Sequence, residues 1–253
     1  LSGIADLCAM ENAFETDILG EAMWDYYQGE SKGPLMTHSS LDQDEEMPLP
    51  HLFRSYDQMP TLEQRALQES RGRVLDIGSG SGIHSLYLQD EKGMEVTALD
   101  QSIGAIRCCK AQGVQDAHCT TLADFRQHSA LQYDTLLLLM NGIGLAGQLH
   151  QLPAFLESLK GLLRPKGQIL LDSSDIRYVF EEEEDGGIWV PGDRLYYGDV
   201  QYHFSYDGRK GPDFDWVFVD PERLKKTAED VAFAYELLEE GPHYDYLARL
   251  VLT

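Results

Sequence analysis

Leu19, Ala22, Met23, Tyr26 and Tyr27 recur at the spacing of one helical face, and Gly29 and Gly33-Pro34 follow as stop signals. The pattern predicts a first helix ending near Gly29. From Gly33 to about Pro60 the chain is polar, proline-containing and aperiodic, apart from an isolated Leu52-Phe53-Arg54-Ser55-Tyr56 cluster. Thr61 and Glu63-Gln64 then open a short helix. Residues 1–70 therefore read as a helical cap, partly mobile.

From Arg73 onward short apolar runs alternate with helical stripes, which is the pattern of a doubly wound parallel sheet. Strands are predicted near 73–77, 95–100, 116–120, 133–140 and 167–173. The run from Tyr133 to Met140 is apolar on both faces, as a strand covered by helices on both sides must be. Leu152, Phe155, Leu156, Leu159 and Leu163 form a stripe facing such a sheet, and the stretch from Gly161 to Gln168 reads as a loop. Past Asp175, an insertion over 176–220 carries extended runs from Tyr196 to Tyr206 and from Phe214 to Asp220. The turn residues Asp207-Gly208 and Gly211-Pro212 between them predict a hairpin. After a helix from Glu222 to about Val231, two closing strands, Phe233 to Glu239 and Tyr244 to Leu252, are joined by Gly241-Pro242-His243. So short a link makes them antiparallel, because parallel neighbours need a long crossover.

Composition narrows the functions open to this fold. A length of 253 residues suits one α/β domain with an appendage. Lys and Arg total 20 against 43 Asp and Glu, and a net charge of −23 repels nucleic-acid backbones and anionic lipid heads. Nucleic acid and membrane are excluded as expected partners. The acid runs Asp42-Gln43-Asp44-Glu45-Glu46 and Glu181-Glu182-Glu183-Glu184-Asp185 read as solvated loops. Cys8, Cys108, Cys109 and Cys119 show neither metal spacing nor a disulfide framework, and read as reduced thiols of a cytoplasmic protein. No apolar run approaches the roughly eighteen residues that cross a bilayer, and no basic segment followed by an apolar one opens the chain. A start at Leu1 leaves room for a native start ahead of it.

The chemistry concentrates in Val74-Leu75-Asp76-Ile77-Gly78-Ser79-Gly80-Ser81-Gly82, a buried strand running into a glycine-rich turn that lets backbone approach a ligand closely. A second acid, Asp100, ends the next apolar run at the separation expected of a residue that bonds the two hydroxyls of a ribose. A dinucleotide fingerprint would place its third glycine at position 83, which is Ile83. The pattern D-x-G-x-G-x-G instead resembles motif I of the class I S-adenosylmethionine (SAM)-dependent methyltransferases, and the reversed final strand is a second mark of their fold. The resemblance covers roughly residues 71–175 and 221–253. It implies a Rossmann-like doubly wound sheet of seven strands as the core over 71–253, with SAM as cofactor. Asp76 then contacts the amino-acid end of SAM near its ammonium, beside Ile77, Gly78, Ser79, Gly80 and Gly82. Asp100, followed by Gln101 and Ser102, takes the ribose, and Ala123 and Asp124 match the adenine position, where a surface acid is the alternative. Asn141 and Gly142 stand at the end of the fourth strand, beside the methyl group in that family.

Methyl transfer from a sulfonium is an in-line displacement of an already activated group, so the protein mainly aligns two reactants and excludes water. Asn141 is a candidate to bond cofactor or acceptor, or else the cap of a strand end. Enzymes that methylate nucleobase amino groups typically follow this position with Pro-Pro-aromatic, and Gly142-Ile143 departs from that. In Asp172-Ser173-Ser174-Asp175, with Tyr178 nearby, Asp175 is placed to orient or deprotonate an acceptor, or to cap a helix. His84 opens the helix after the glycine loop, in a catalytic or a packing role. Arg54, Tyr56, Tyr26 and Tyr27 are placed to close over the cofactor or to join the core. A bacterial group of uncharacterised methyltransferases has a similar Leu-Met-Asn-Gly-Ile-Gly strand end and Asp-Ser-Ser-Asp segment. The expected function is methylation of a small molecule with no metal. A non-catalytic SAM-binding protein is the alternative, and an NAD-dependent oxidoreductase a weaker one. The acceptor is expected beneath a lid made by the first 60 or so residues and the hairpin between Leu195 and Asp220, both rich in aromatics.

Overall fold

The computed structural model describes residues 16–41, 44–180 and 195–253; Cys8, Asp42, Gln43 and the acid run Glu181 to Asp185 lie outside the described residues. These residues divide into two compact units. One is made by residues up to Gln58, Asp76–Ser129 and Tyr202–Phe214, the other by Met59–Leu75, Ala130–Gln201 and Asp215–Thr253.

In the first unit, helix α1 (Ile18–Gln28) starts where the Asp17 carboxylate accepts from the Gly20 N–H, and ends at Gly29 in the left-handed conformation. Its buried residues Ile18, Ala22 and Met23 pack with Leu35, Leu49, Ala105, Cys108 and Tyr206. Each large apolar side chain so buried contributes about 1.5–3 kcal/mol. The segment from Gly33 to Pro60 departs from the aperiodic reading, because it contains strands β1 (Leu35–Ser39) and β2 (Asp44–Met47), paired antiparallel from Leu35↔Met47 to His38↔Asp44. Asp44-Glu45-Glu46 faces water almost entirely, so β2 carries no apolar alternation; charges of this kind are what an edge strand tolerates. The Leu52 cluster forms 3-10 turns at Leu49–Phe53 and Tyr56–Gln58.

Helix α2 (Thr61–Glu69) precedes β3 (Val74–Ile77). Helix α3 (Ile83–Leu86) runs on as a π turn over Tyr87–Glu91, followed by β4 (Val96–Asp100), α4 (Ile103–Gln112), β5 (Ala117–Cys119) and α5 (Leu122–His128). The second unit continues through β6 (Tyr133–Leu138), α6 (Leu152–Lys160) and β7 (Leu163–Ser174). Strand β6 is almost wholly buried and stops two residues before the predicted end, where Met140 and Asn141 both turn to positive φ (59° and 58°). Strand β7 begins at Leu163, so the predicted loop from Gly161 to Gln168 is largely strand. Arg164-Pro165-Lys166-Gly167 reads as a turn because it forms an irregularity within the strand, with Lys166 at φ 65° and a register shift opposite Tyr133 and Thr135.

The insertion supplies β8 (Asp199–Tyr206), β9 (Arg209–Lys210) and β10 (Phe214–Val217). Asp207 and Gly208 both have positive φ, as a two-residue hairpin turn between Tyr206 and Arg209 requires. Helix α7 (Pro221–Asp230) leads into β11 (Phe233–Glu240) and β12 (Asp245–Leu252). The main sheet has seven strands in the order β11-β12-β7-β6-β3-β4-β5. Pairs β4/β5 and β6/β7 are parallel, while β12 is antiparallel to both β7 and β11. The reversed final strand thus stands inside the sheet. A second sheet, β10-β8-β1-β2 with β9 on β8, joins the N-terminal cap to the insertion through Met36↔Ser205, Thr37↔Phe204, His38↔His203 and Ser39↔Tyr202.

Candidate active site

Within the first unit, β3 carries Asp76 and Ile77 and releases the chain into the glycine turn. Gly78, Gly80 and Gly82 all have positive φ, a region that residues with a Cβ rarely adopt. At Gly82 a Cβ would also lie 2.8 Å from Cys109 Sγ and 2.9 Å from Val114, whereas at Gly80 it would meet nothing within 4 Å. The turn is therefore packed against α4 at Gly82 and open at Gly80. Gly78 and Ser79 donate their N–H groups to the Leu99 carbonyl at 2.8 and 3.1 Å. Ser81 Oγ donates to the Leu52 carbonyl and Gln112 Nε2 to the Ser81 carbonyl. Such bracing holds the loop in place before any ligand arrives.

Asp76 is buried and accepts from Ser85 Oγ at 2.7 Å. Burial raises its pKa, against the opposing influences of His84 and the Ser85 hydrogen bonds, so the carboxylate lacks a full counter-charge. Asp100 ends β4 and accepts from two backbone donors, Gly80 N–H on Oδ2 at 2.9 Å and Ser102 N–H on Oδ1 at 2.8 Å. A carboxylate has about four acceptor positions, so one remains on each oxygen. Burial pushes its pKa up to about 6, with the Ser102 and Gly80 bonds opposing and the Asp17 and Asp76 charges adding.

A pH dependence follows. With Asp100 as the ribose ligand proposed below, its protonation puts a hydroxyl donor where the ribose needs acceptors, so SAM affinity is expected to be flat above about pH 6 and to fall as pH drops below it. Isothermal titration between pH 5 and pH 8 measures this, and a profile flat to pH 5 contradicts it.

Other expected residues are less committed. Ser102 caps α4 by accepting from the Ala105 N–H. Gln101 is exposed, and its carbonyl accepts from Cys119 Sγ. Ala123 and Asp124 lie exposed in the first turn of α5, where Thr121 Oγ1 donates to the Asp124 carboxylate at 2.8 Å. His84 is buried. Tyr56 stacks on Tyr87 at 4.0 Å, and Tyr26 and Tyr27 both pack near Phe53. Arg54 is buried and donates to the His51 carbonyl.

Within the second unit, Asn141 follows β6 in the left-handed conformation, which Asn tolerates better than most residues. Its N–H donates to Asp172 Oδ1, its Oδ1 accepts from Ser173 Oγ at 2.8 Å, and its Nδ2 donates to the Val217 carbonyl at 3.4 Å. Ser173 Oγ in turn accepts from the Val219 N–H. Gly142 opens the next 3-10 turn, and Gly144 has no room for a Cβ against Trp216. Asp175 caps the turn Ile176–Val179, accepting from the Arg177 N–H at 3.0 Å, and also accepts from Tyr197 Oη at 2.8 Å. Both of those donors meet the same oxygen, Oδ1.

Sequence reasoning missed two groups. One is Tyr196, Tyr197, Asp220 and Arg223: Tyr196 Oη donates to Asp220 at 2.8 Å, and the Arg223 guanidinium bonds Asp220 and lies 4.8 Å from the Tyr196 ring. Aromatic identity alone does not reveal such a cluster. The other is Asp17, which a helix-start rule finds, since it immediately precedes the first apolar-periodic stretch. Among the described residues no group of three or more His, Cys, Asp or Glu could hold a metal ion, and no helix is long and apolar enough to cross a membrane.

The residues around the glycine turn fit SAM, through the open backbone at Gly80, the spare acceptors of Asp100 and the undercompensated Asp76. Residues 51–210 match the model of a family described as a methyltransferase domain. No curated protein sequence matches the chain significantly. Among solved structures, a SAM-dependent methyltransferase from Bacteroides fragilis in complex with S-adenosyl-L-homocysteine is 43% identical, with a TM-score of 0.85 over 94% of this chain and 96% of that one. More distant folds include a sugar N-methyltransferase, KedS8, from Streptoalloteichus sp. (16% identity, TM-score 0.57, 81% and 93% coverage) and a SAM-dependent methyltransferase from Clostridium acetobutylicum (13%, 0.56, 81% and 94%). With its family model spanning most of the chain and a 43% identical relative covering nearly all of it, this chain belongs to the SAM-dependent methyltransferases.

Proposed function

We propose that the chain is an active methyltransferase acting on a small-molecule acceptor in the cytoplasm. The observation that carries the cofactor half is Asp100, held by the Gly80 and Ser102 N–H groups with an acceptor position spare on each oxygen. When bound, SAM supplies a methyl group on an activated sulfonium. The chain's own work is to seat and exclude water. Asp76 faces the ammonium, Asp100 the ribose, and Ala123 and Asp124 the adenine. Asn141 keeps one amide hydrogen and one carbonyl lone pair beyond its internal bonds, enough to orient a reactant, and Gly142 lets backbone approach closely. Asp175 retains Oδ2 for an acceptor proton.

A small acceptor is supported by the net charge of −23, which leaves no track for a phosphate backbone. It is also supported by the sheet that joins the cap to the insertion, since acceptor choice usually resides in additions to a rigid core. Calorimetry is expected to show binding of SAM or S-adenosylhomocysteine and none of NAD. Tight NAD binding without a response to SAM overturns the reading. A screen of metabolites for acceptor-dependent S-adenosylhomocysteine formation separates the enzyme from a non-catalytic SAM-binding protein, which turns over none of them.

A further inference from the structure

Asp17 stands outside the cofactor motif, yet its carboxylate serves the starts of two helices. Oδ1 accepts from the Gly20 N–H in the first turn of α1 at 3.0 Å. Oδ2 accepts from the Gly104 N–H in the first turn of α4 at 3.1 Å and from Ser102 Oγ at 2.9 Å. The Ser102 N–H donates to Asp100 Oδ1, completing a path of two hydrogen-bonded steps from Asp17 to the ribose acid. At the same place the two helix backbones touch, for a Cβ on Gly104 would collide with the Gly20 carbonyl. Below that crossing, Ile18, Ala22 and Met23 of α1 share one apolar cluster with Ala105 and Cys108 of α4. An N-cap serves one helix; this one ties a helix of the N-terminal cap to the helix that follows the ribose acid.

We propose that Asp17 is a positioning residue for the cofactor's ribose, acting through Ser102 to set the placement and charge of Asp100, so that seating of α1 on α4 and binding of SAM are coupled. The inference rests on Asp100 as the ribose ligand. Ordering the start of α4 costs conformational entropy, and whichever of the two events comes first spares the other that cost. The ionisable groups that face Asp100 are Asp17 ahead of α1, Asp76 on β3, Cys109 on α4 and Cys119 on β5. Of these, Asp17 and Asp76 are the carboxylates, and each opposes the ionisation that the ribose hydroxyls need.

The test is calorimetric titration of the full chain with S-adenosylhomocysteine from pH 5 to pH 8, for wild type, Asp17→Asn, Ser102→Ala and Asp100→Ala. Asn offers one oxygen, so Asp17→Asn still caps one helix but no longer holds both, and it removes one charge beside Asp100. At pH 8 it is expected to weaken binding by roughly threefold to tenfold, the size of a lost hydrogen bond to a charged group acting at one remove. It also moves the pH at which binding fades downward by about half a unit or more, as loss of a neighbouring like charge requires. A cap with no part in binding would lower the melting temperature and leave that midpoint in place. Ser102→Ala cuts the relay while keeping the Asp17 carboxylate on Gly20 and Gly104, so it tests the coupling even if Asp17→Asn folds poorly, and it too is expected to weaken binding. Wild-type affinity and midpoint in both variants, with Asp100→Ala impaired, overturn the proposal. An unimpaired Asp100→Ala instead overturns the ribose assignment beneath it.

Discussion

Asp100→Ala is expected to weaken S-adenosylhomocysteine binding by about 1.5–3 kcal/mol, roughly 10- to 150-fold, the typical worth of hydrogen bonds to a charged group. Two losses combine. On the proposed assignment the ribose hydroxyls lose their acceptor, and the Gly80 and Ser102 N–H groups lose the carboxylate that fixes the glycine turn against the start of α4. Asn at this position does not restore the site, because its amide nitrogen would face one of those two N–H groups, donor against donor. The fold should persist, since Asp100 ends a strand and is only half-buried, so water can replace the carboxylate at both backbone donors. Equilibrium titration together with thermal unfolding decides: an unchanged dissociation constant in a normally folded variant means that another residue takes the ribose.

The parts of the molecule that were legible in the sequence are those whose physics is local. The strand-turn-helix at Asp76 to Ile83 announces itself because three positive φ angles demand three glycines, and β6 because burial on both faces makes Leu136, Leu137 and Leu138 a continuous apolar run. The closing pair was legible from the length of its link. Strands β1 and β2 were not, because β2 is an exposed acidic edge whose order comes from pairing with β1, and β1 in turn pairs with β8, far away in sequence. The start of β7 was hidden for the opposite reason, since Pro165 and Gly167 spell a turn inside what is a bulged strand. At the site, the sequence reveals side-chain types but not how much of their bonding capacity is already used. Asp175 illustrates the difference, for its cap and its Tyr197 partner both fall on Oδ1.

Asn141 raises the same question more sharply, and its replacement carries the other large expected effect. Its side chain lies between Ser173 Oγ, which it accepts from, and the Val217 carbonyl, which it donates to, while Ser173 also receives the Val219 N–H. This ties the end of β6 to β7 and to the exit from the insertion within one unit. Ser173 is fully buried and its hydroxyl also reaches the Tyr246 side chain, so removing the Asn141 side chain costs the Ser173 bond and the Val217 carbonyl its amide donor without fully stranding the hydroxyl. Asn141→Gly is the cleaner substitution, because glycine accepts the left-handed backbone at φ 58° and the change then reports the side chain alone. It is expected to lower stability by about 1–3 kcal/mol, the combined net worth of the two hydrogen bonds lost. Asn141→Ala should lose more, through added backbone strain. Denaturant unfolding gives the stability change, and titration with S-adenosylhomocysteine on the same samples gives the affinity. If Asn141 also bonds cofactor or acceptor, Asn141→Gly lowers turnover beyond anything that restored stability recovers, for example at low temperature. If Ser173→Ala matches its stability loss while keeping turnover, the amide has both roles. Wild-type stability in Asn141→Gly would mean that the Ser173 bond contributes nothing net to the fold, leaving Asn141 free to act on a ligand alone.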